Sequence, residues 1–273
     1  LASPLTLGLD VPANAVLLDG LVAAAIPDPA LPVIPLPLSR VIGVFERLTG
    51  NPAWRHFEQF APGGGAYEGR AEVELVVRSI AQVGNYDYLL DWIFTQNGTI
   101  RGEIGLTGID APKAVAAGSR WAGDATRTDS PVAEQLVAPY HSHHFSFRLD
   151  LDVDGQANSF LLGKLRAHPA PGPRKTVWAL TEHLVTSESE AQLDEGNTQW
   201  KVVNPGRRNA FGEPVGYIVE SHSHAEPLLD KADFRRAAFI GHNLWVTAFD
   251  PDERYAAVRL SSDLPLDGRF RRD

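Results

Sequence analysis

The residues best suited to chemistry are two tyrosines and two histidines in separate parts of the chain. Tyr86 and Tyr88 lie in the run Val-Gly-Asn-Tyr-Asp-Tyr at 83–88, and one serine separates His141 from His143. Side chains two residues apart on a strand point to the same face, so the two imidazoles can share one metal ion. The pair therefore indicates a metal site, and a tyrosine whose ring is open to a metal and dioxygen can become a redox group.

Each of these features also has a simpler interpretation. Two tyrosines between strands are often core residues with a tethered hydroxyl. His222 and His224 have the same spacing as the first pair, but their segment is polar and is typical of a surface loop. We prefer His141 and His143 because their face continues through Phe145 and Phe147, which predicts dry, rigid surroundings for a metal.

Alternating and β-branched runs predict strands on both sides of these residues. They cover Glu72–Val83, Leu89–Phe94 and Tyr140–Val153, and a further strand at Val41–Arg47 is expected to end in a turn at 49–52. Asn97-Gly98 predicts a two-residue hairpin turn with positive φ at both positions. The chain is therefore predicted to be all-β, as a large antiparallel β-sandwich.

Composition narrows the function classes. The 273 residues are 44% hydrophobic, enough for one large all-β domain or two smaller ones, and contain no Cys and no Met. The formal net charge is −9, so nucleic acid is not an expected partner. No apolar run approaches the ~20 residues of a membrane span, so we expect no membrane partner either.

The two features together resemble the copper-containing primary amine oxidases, and the resemblance extends over nearly the whole chain. These enzymes carry an Asn-Tyr-Asp/Glu-Tyr motif and a His-X-His pair, found here at 85–88 and 141–143. The match looks closest to the periplasmic bacterial aromatic-amine oxidases. Further matching runs lie at 14–18, 44–47, 75–78, 91–94, 97–100, 147–155, 214–217 and 244–247.

The resemblance implies a reaction and two cofactors. Primary amines would be oxidised by dioxygen to aldehyde, ammonia and hydrogen peroxide, using copper(II) and a topaquinone formed from Tyr86. Asn85 would help to orient the quinone, and His141 and His143 would bind copper. Neutral imidazole nitrogens are ligands that suit Cu(II). The resemblance further implies a homodimer, a periplasmic or secreted location and, among its nearest members, an aromatic amine as substrate.

A second, calcium-type cation site is also implied by the resemblance. Its ligands would be Asp150, the backbone of Leu151 and Asp152, which supply the hard oxygen atoms that calcium requires. Glu188 falls where the bacterial enzymes place a carboxylate on a peripheral calcium. Taken alone, the acidic run at 150–155 is better interpreted as a solvated strand end before a glycine turn.

Two parts of the family pattern are not found in the chain. We find neither the aspartate base expected before residue 14 nor the third copper histidine expected after the run at 244–247. We therefore interpret residues 1–273 as the central part of the catalytic domain and expect this segment alone to be inactive. The alternative is a non-catalytic, metal-binding β-sandwich relative.

Overall fold

The fold was analysed from a computed structural model, which describes residues 2–23, 35–117, 128–188, 198–222, 240 and 243–249. The chain divides into two compact units, Leu1–Ser142 and His143–Asp273. Within the described ranges there is no α-helix, and every pair of named strands is antiparallel. The predicted all-β antiparallel class is confirmed.

The first unit is built around a five-stranded antiparallel sheet. Its strands pair in chain order, β1 to β5, so each strand lies beside the next one in sequence. The strands are β1 Val16–Ala23, β2 Pro35–Glu58, β3 Ala66–Val83, β4 Tyr86–Thr95 and β5 Ile100–Gly108. Antiparallel strands that pair in chain order can be joined by short hairpin turns, such as the one that Asn97-Gly98 predicts between β4 and β5.

One face of this sheet carries the core. Phe45 lies opposite Val76 in neighbouring strands, and Val76 lies opposite Ile93. All three are buried, and Leu5 and Val11 from the N-terminal segment join the same cluster. The segment is held in place by backbone hydrogen bonds, including one of 2.7 Å from the Leu5 N–H to the Arg40 carbonyl.

Charged side chains continue this buried face. Glu74, with 2% of its side chain exposed, accepts hydrogen bonds from Arg47 at 2.6 Å and from Arg101 at 2.5 Å. Arg78 and Asp91 form a second pair through two hydrogen bonds of 2.8 and 2.7 Å. Burial acts to raise the pKa of Glu74, but the hydrogen bonds and charges of Arg47 and Arg101 outweigh it and lower that pKa.

Replacing Glu74 by glutamine should therefore destabilise the protein in a pH-dependent way. Glu74 binds a proton less readily in the folded than in the unfolded chain, so its contribution is fully present above pH 4.5 and lost as the pH falls below it. We expect a loss of about 2–3 kcal/mol at pH 7, below the ~3–5 kcal/mol for fully buried pairs because both guanidinium groups keep some solvent. The difference in the free energy of unfolding between wild type and Glu74→Gln should become smaller at acidic pH.

Thermal unfolding between pH 7 and pH 3 measures this effect. Glu68→Gln is the matched control, because Glu68 is an exposed carboxylate on the same strand, β3. Equal losses in the two variants, or a Glu74→Gln loss that does not change with pH, would contradict the assignment.

Two predicted turns differ from the structure. The turn expected at 49–52 is an irregularity inside β2, where the register with β3 shifts between Leu48 and Trp54 and Gly50 takes a φ of 82°. The hairpin at Asn97-Gly98 exists, but with positive φ at Gly98 and not at Asn97. Three residues link the paired Thr95 and Thr99, so the loop is longer than the two-residue type that requires positive φ at both positions.

A small three-stranded sheet completes the first unit. It consists of β6 Lys113–Ala114, β7 Asp129–Ala133 and β8 Leu136–Pro139, with β8 in the centre. Sequence analysis predicted no strands here. The sheet matters for the site because β8 ends at Pro139, two residues before His141.

The second unit contains a four-stranded sheet in the order β10-β9-β11-β12. Its strands are β9 Ser159–Pro169, β10 Thr176–Leu184, β11 Thr198–Arg208 and β12 Pro214–Val219. Trp200 and Val203 of β11 are buried in this unit. The sequence also predicts strands at 176–180, 200–203 and 215–219, within β10, β11 and β12, but none at β9, which lies inside the sheet.

The strand predicted at Tyr140–Val153 is wrong, since none of these residues belongs to a strand. Two carbonyls near the end of this stretch accept hydrogen bonds from side-chain amides. Asn158 donates to the Leu151 carbonyl at 2.8 Å, and the buried Asn204 donates to the Val153 carbonyl at 2.7 Å. The sequence also predicts a strand at 243–249, and these residues are likewise outside any strand.

Candidate active site

Tyr86 is the first residue of β4 and follows a two-residue hairpin turn. Val83 pairs with Tyr86 across the turn formed by Gly84 and Asn85, and Gly84 has a φ of 62°. A glycine with positive φ at the first turn position matches the twist of the two strands it joins. The turn therefore fixes Tyr86 at the end of the sheet, where its side chain can meet residues from outside the sheet.

The tyrosine lies on the sheet face opposite the buried charges. On β4 it shares this face with Tyr88, and the two rings are 6.5 Å apart between centroids and tilted by 50°. Trp92 and Phe94 continue the same face and remain 37% and 39% exposed. The face is thus aromatic, while the Arg78–Asp91 pair occupies the other face.

His141 meets Tyr86 although 55 residues separate them in sequence. The Tyr86 hydroxyl lies 2.9 Å from His141 Nε2, and the two rings are 5.5 Å apart between centroids. His141 Nδ1 lies 2.8 Å from the Pro139 carbonyl oxygen. Because a carbonyl oxygen can only accept, Nδ1 carries a proton, and in the neutral imidazole Nε2 presents its lone pair to the tyrosine hydroxyl.

This arrangement fits a copper ligand beside a tyrosine. A metal binds the unprotonated nitrogen of a neutral imidazole, and a hydrogen bond from the other ring nitrogen to a carbonyl fixes that tautomer. His141 has both properties, and the Tyr86 oxygen lies within hydrogen-bond distance of the nitrogen that would bind the metal. Sequence reasoning paired His141 with His143 but did not foresee that Pro139 sets the tautomer.

His143 belongs to the second unit, whereas Tyr86 and His141 belong to the first. The dry apolar face predicted beside His143 is not found, because Phe145 and Phe147 remain 40% and 45% exposed. The reason is that this stretch forms no strand, so the alternation on which the prediction rested does not apply. The assignment of His143 as a copper ligand rests on sequence alone.

The predicted calcium ligands lie between β8 and β9. Asp150 and Asp152 are exposed, and the Leu151 carbonyl accepts a hydrogen bond from the Asn158 side chain. A carbonyl oxygen has a second lone pair, so this bond leaves Leu151 able to bind a cation. Within the described ranges, no group of three or more histidines or carboxylates is arranged to hold a metal ion.

The remaining side chains that could bind a metal are Glu188 and the other histidines. A Glu188 carboxylate oxygen accepts a 2.8 Å hydrogen bond from the Ala248 backbone N–H. His56 lies 3.5 Å from Glu58 on β2. His222 is exposed, 3.8 Å from Glu220. His224 and His242 lie outside the described residues. So do residues 235–239, where the sequence predicts a short helical turn.

Sequence reasoning missed the segment that follows β5. Gly108, the last residue of β5, pairs with Tyr86. The Ile109 N–H then donates to the Asn85 carbonyl at 3.0 Å, and the Ala111 N–H lies 3.4 Å from the Tyr86 hydroxyl. A glycine inside a strand pattern often marks the close approach of another backbone, so Gly108 could have indicated this segment from the sequence.

Comparisons with known proteins show the family of the chain. Residues 1–268 match the family model described as copper amine oxidase, enzyme domain. The chain is 36% identical over 270 residues to a primary amine oxidase of Klebsiella aerogenes, covering 93% of this chain and 34% of the relative. It is also 36% identical over 259 residues to a copper-containing amine oxidase of Arabidopsis thaliana, alpha 3, peroxisomal, covering 90% of this chain and 37% of the relative.

A comparison with solved structures shows a similar fold. The crystal structure of a copper-containing benzylamine oxidase from Hansenula polymorpha matches with a TM-score of 0.77 at 23% identity, covering 95% of this chain and 40% of that one. The chain thus spans about a third of the length of both curated relatives described above. No helix in the described ranges has the length and hydropathy needed to cross a membrane.

Proposed function

The chain belongs to the copper amine oxidase family, and on that basis we propose that it forms the central part of the catalytic domain of a primary-amine oxidase. The reaction converts a primary amine, dioxygen and water into an aldehyde, ammonia and hydrogen peroxide. The observation that carries the proposal is the 2.9 Å contact between the Tyr86 hydroxyl and His141 Nε2. It brings the tyrosine of the family motif to a histidine of the His-X-His pair.

In this proposal His141 and His143 bind copper(II), and Tyr86 is the precursor of the quinone. His141 is supported by its tautomer, and His143 by its position two residues further along the chain, within reach of the same ion. Copper and the quinone supply the redox chemistry and the electrophilic carbonyl, while the protein supplies binding and orientation. Asn85 contributes by fixing the turn before Tyr86 through its carbonyl.

The second cation site is proposed at Asp150, the Leu151 carbonyl and Asp152, with calcium as the ion. Carboxylate and carbonyl oxygens are the ligands calcium prefers, and calcium tolerates the flexible geometry of an exposed loop. Asn204 and Asn158 hold this loop through the carbonyls of Val153 and Leu151. Glu188 is proposed for a peripheral calcium, where the cation would compete with the Ala248 N–H for the carboxylate.

A homodimer is the proposed assembly. Beyond the sheet, β2 and β3 continue as a two-stranded ribbon, pairing from Trp54–Arg70 to Glu58–Ala66. An isolated two-stranded ribbon is marginally stable in water, and this one exposes Trp54, Phe57 and Tyr67. A second copy of the chain would cover these aromatic side chains. The location proposed from the bacterial resemblance is periplasmic or secreted.

The proposed substrate is a small primary amine, with an aromatic amine as the class the bacterial resemblance favours, and dioxygen is the co-substrate. The test is peroxide release by protein expressed from the complete gene and loaded with copper in air, using tyramine and 2-phenylethylamine. We expect equal amounts of peroxide and ammonia, and none without copper. Copper binding without quinone or peroxide would contradict the proposal and favour a non-catalytic metal-binding relative.

A further inference from the structure

Gly108 lies against the backbone of Tyr86 more closely than any side chain would permit. A Cβ atom at Gly108 would lie 2.3 Å from the Asn85 carbonyl oxygen and 2.8 Å from the Tyr86 Cα. Both atoms belong to the backbone, so neither can rotate out of the way as a side chain could. Gly108 also has a φ of 124°, a conformation that residues with a side chain rarely adopt. Only glycine fits this position.

The residues after Gly108 hold Tyr86 at two further points. The Ile109 N–H donates to the Asn85 carbonyl at 3.0 Å and so closes the β5 strand against the turn that precedes the tyrosine. The Ala111 N–H lies 3.4 Å from the Tyr86 hydroxyl, on a side chain that also contacts His141. The segment 108–111 therefore reaches from the Cα of Tyr86 to the far end of its ring.

We propose that the segment 108–111 is the positioning element for Tyr86, fixing its backbone through Gly108 and its hydroxyl through the Ala111 amide. The inference rests on the proposed function, in which the Tyr86 ring is oxidised beside copper. A ring held at both ends presents a constant edge to the metal. Misplacement of a reacting group by about 1 Å can slow a reaction about 100-fold, so the fit of Gly108 should control how fast the quinone forms.

The test compares two glycine-to-alanine variants in copper-free protein expressed from the complete gene. Gly108→Ala adds a clash and backbone strain, whereas Gly98→Ala adds strain alone, because Gly98 has a φ of 87° and nothing within 4 Å of its would-be Cβ. Copper is added in air, and we measure copper per chain and phenylhydrazine-reactive quinone per copper over time. These two readouts do not depend on amine turnover.

The proposal predicts that Gly108→Ala binds copper within twofold of wild type but forms quinone about 10–100-fold more slowly. Gly98→Ala should form quinone at the wild-type rate. Wild-type quinone formation in Gly108→Ala would overturn the inference, and so would an equal loss in Gly98→Ala. A wild-type protein that binds copper and forms no quinone would instead refute the proposed function.

If Gly108→Ala does not fold, variants of Ala111, whose N–H faces the Tyr86 hydroxyl, provide the test. Ala111→Pro removes the N–H that faces Tyr86, and Ala111→Ser keeps it. Slower quinone formation per bound copper in Ala111→Pro, with a wild-type rate in Ala111→Ser, supports the positioning role. Equal rates in the two variants overturn it.

Discussion

Tyr86→Phe is expected to abolish the quinone while leaving copper in place. The phenol oxygen at 2.9 Å from His141 Nε2 is the atom from which oxidation of the ring would begin, and phenylalanine lacks it. Copper should still bind, because His141 keeps its tautomer through Pro139. The measurements are the visible absorbance, reaction with phenylhydrazine and copper content of protein expressed from the complete gene.

Tyr88→Phe is the matched control for this prediction. Tyr88 lies on the same strand and the same face, with its ring 6.5 Å from that of Tyr86. The Tyr88→Phe variant should form quinone at close to the wild-type yield. Unchanged absorbance in Tyr86→Phe, or loss of the quinone in Tyr88→Phe instead, would show that the wrong tyrosine was assigned.

His141→Ala should lower copper affinity about 100-fold or more and prevent quinone formation. Removing residues that merely orient a metal ligand already costs about 10–100-fold, so loss of a ligand should cost at least as much. His143→Ala should have a similar effect if the two imidazoles share the ion, as their spacing predicts. Copper per chain after dialysis against a weak chelator measures both effects.

The second His-X-His pair supplies the controls. His222→Ala and His224→Ala should retain copper, since the sequence around this pair is polar and typical of a surface loop. Greater copper loss in these variants than in His141→Ala and His143→Ala would show that the other pair binds the metal. Loss in His141→Ala alone would confine the assignment to the first histidine.

The central strands could be predicted from sequence because their signals are local. Alternation along β3 and the apolar run in β4 reflect one buried and one aromatic face, and Gly98 marks the hairpin between β4 and β5. The irregular β2 could not be predicted in the same way. Gly50 and Pro52 are typical of a turn, but in the structure they occupy a bulge that pairing with β3 extends across.

The candidate site was predictable only in part because its contacts are long-range. Spacing placed His141 and His143 on one face, yet the stretch around them forms no strand, so strand alternation does not apply to it. The family resemblance implied that Tyr86 and His141 belong to one copper site, but neither it nor the spacing predicted their direct contact. The buried Glu74 was not anticipated, because its partners Arg47 and Arg101 come from strands far apart in sequence.

The most direct test of the account is to locate the oxidised residue. Copper-loaded protein from the complete gene is labelled with phenylhydrazine and digested with trypsin, which should release the peptide 79–101 containing both Tyr86 and Tyr88. Fragmentation of the labelled peptide by mass spectrometry should place the adduct on Tyr86, with Tyr88 unmodified. An adduct on Tyr88 or on another peptide, or copper-loaded protein with an unmodified Tyr86, would contradict the account.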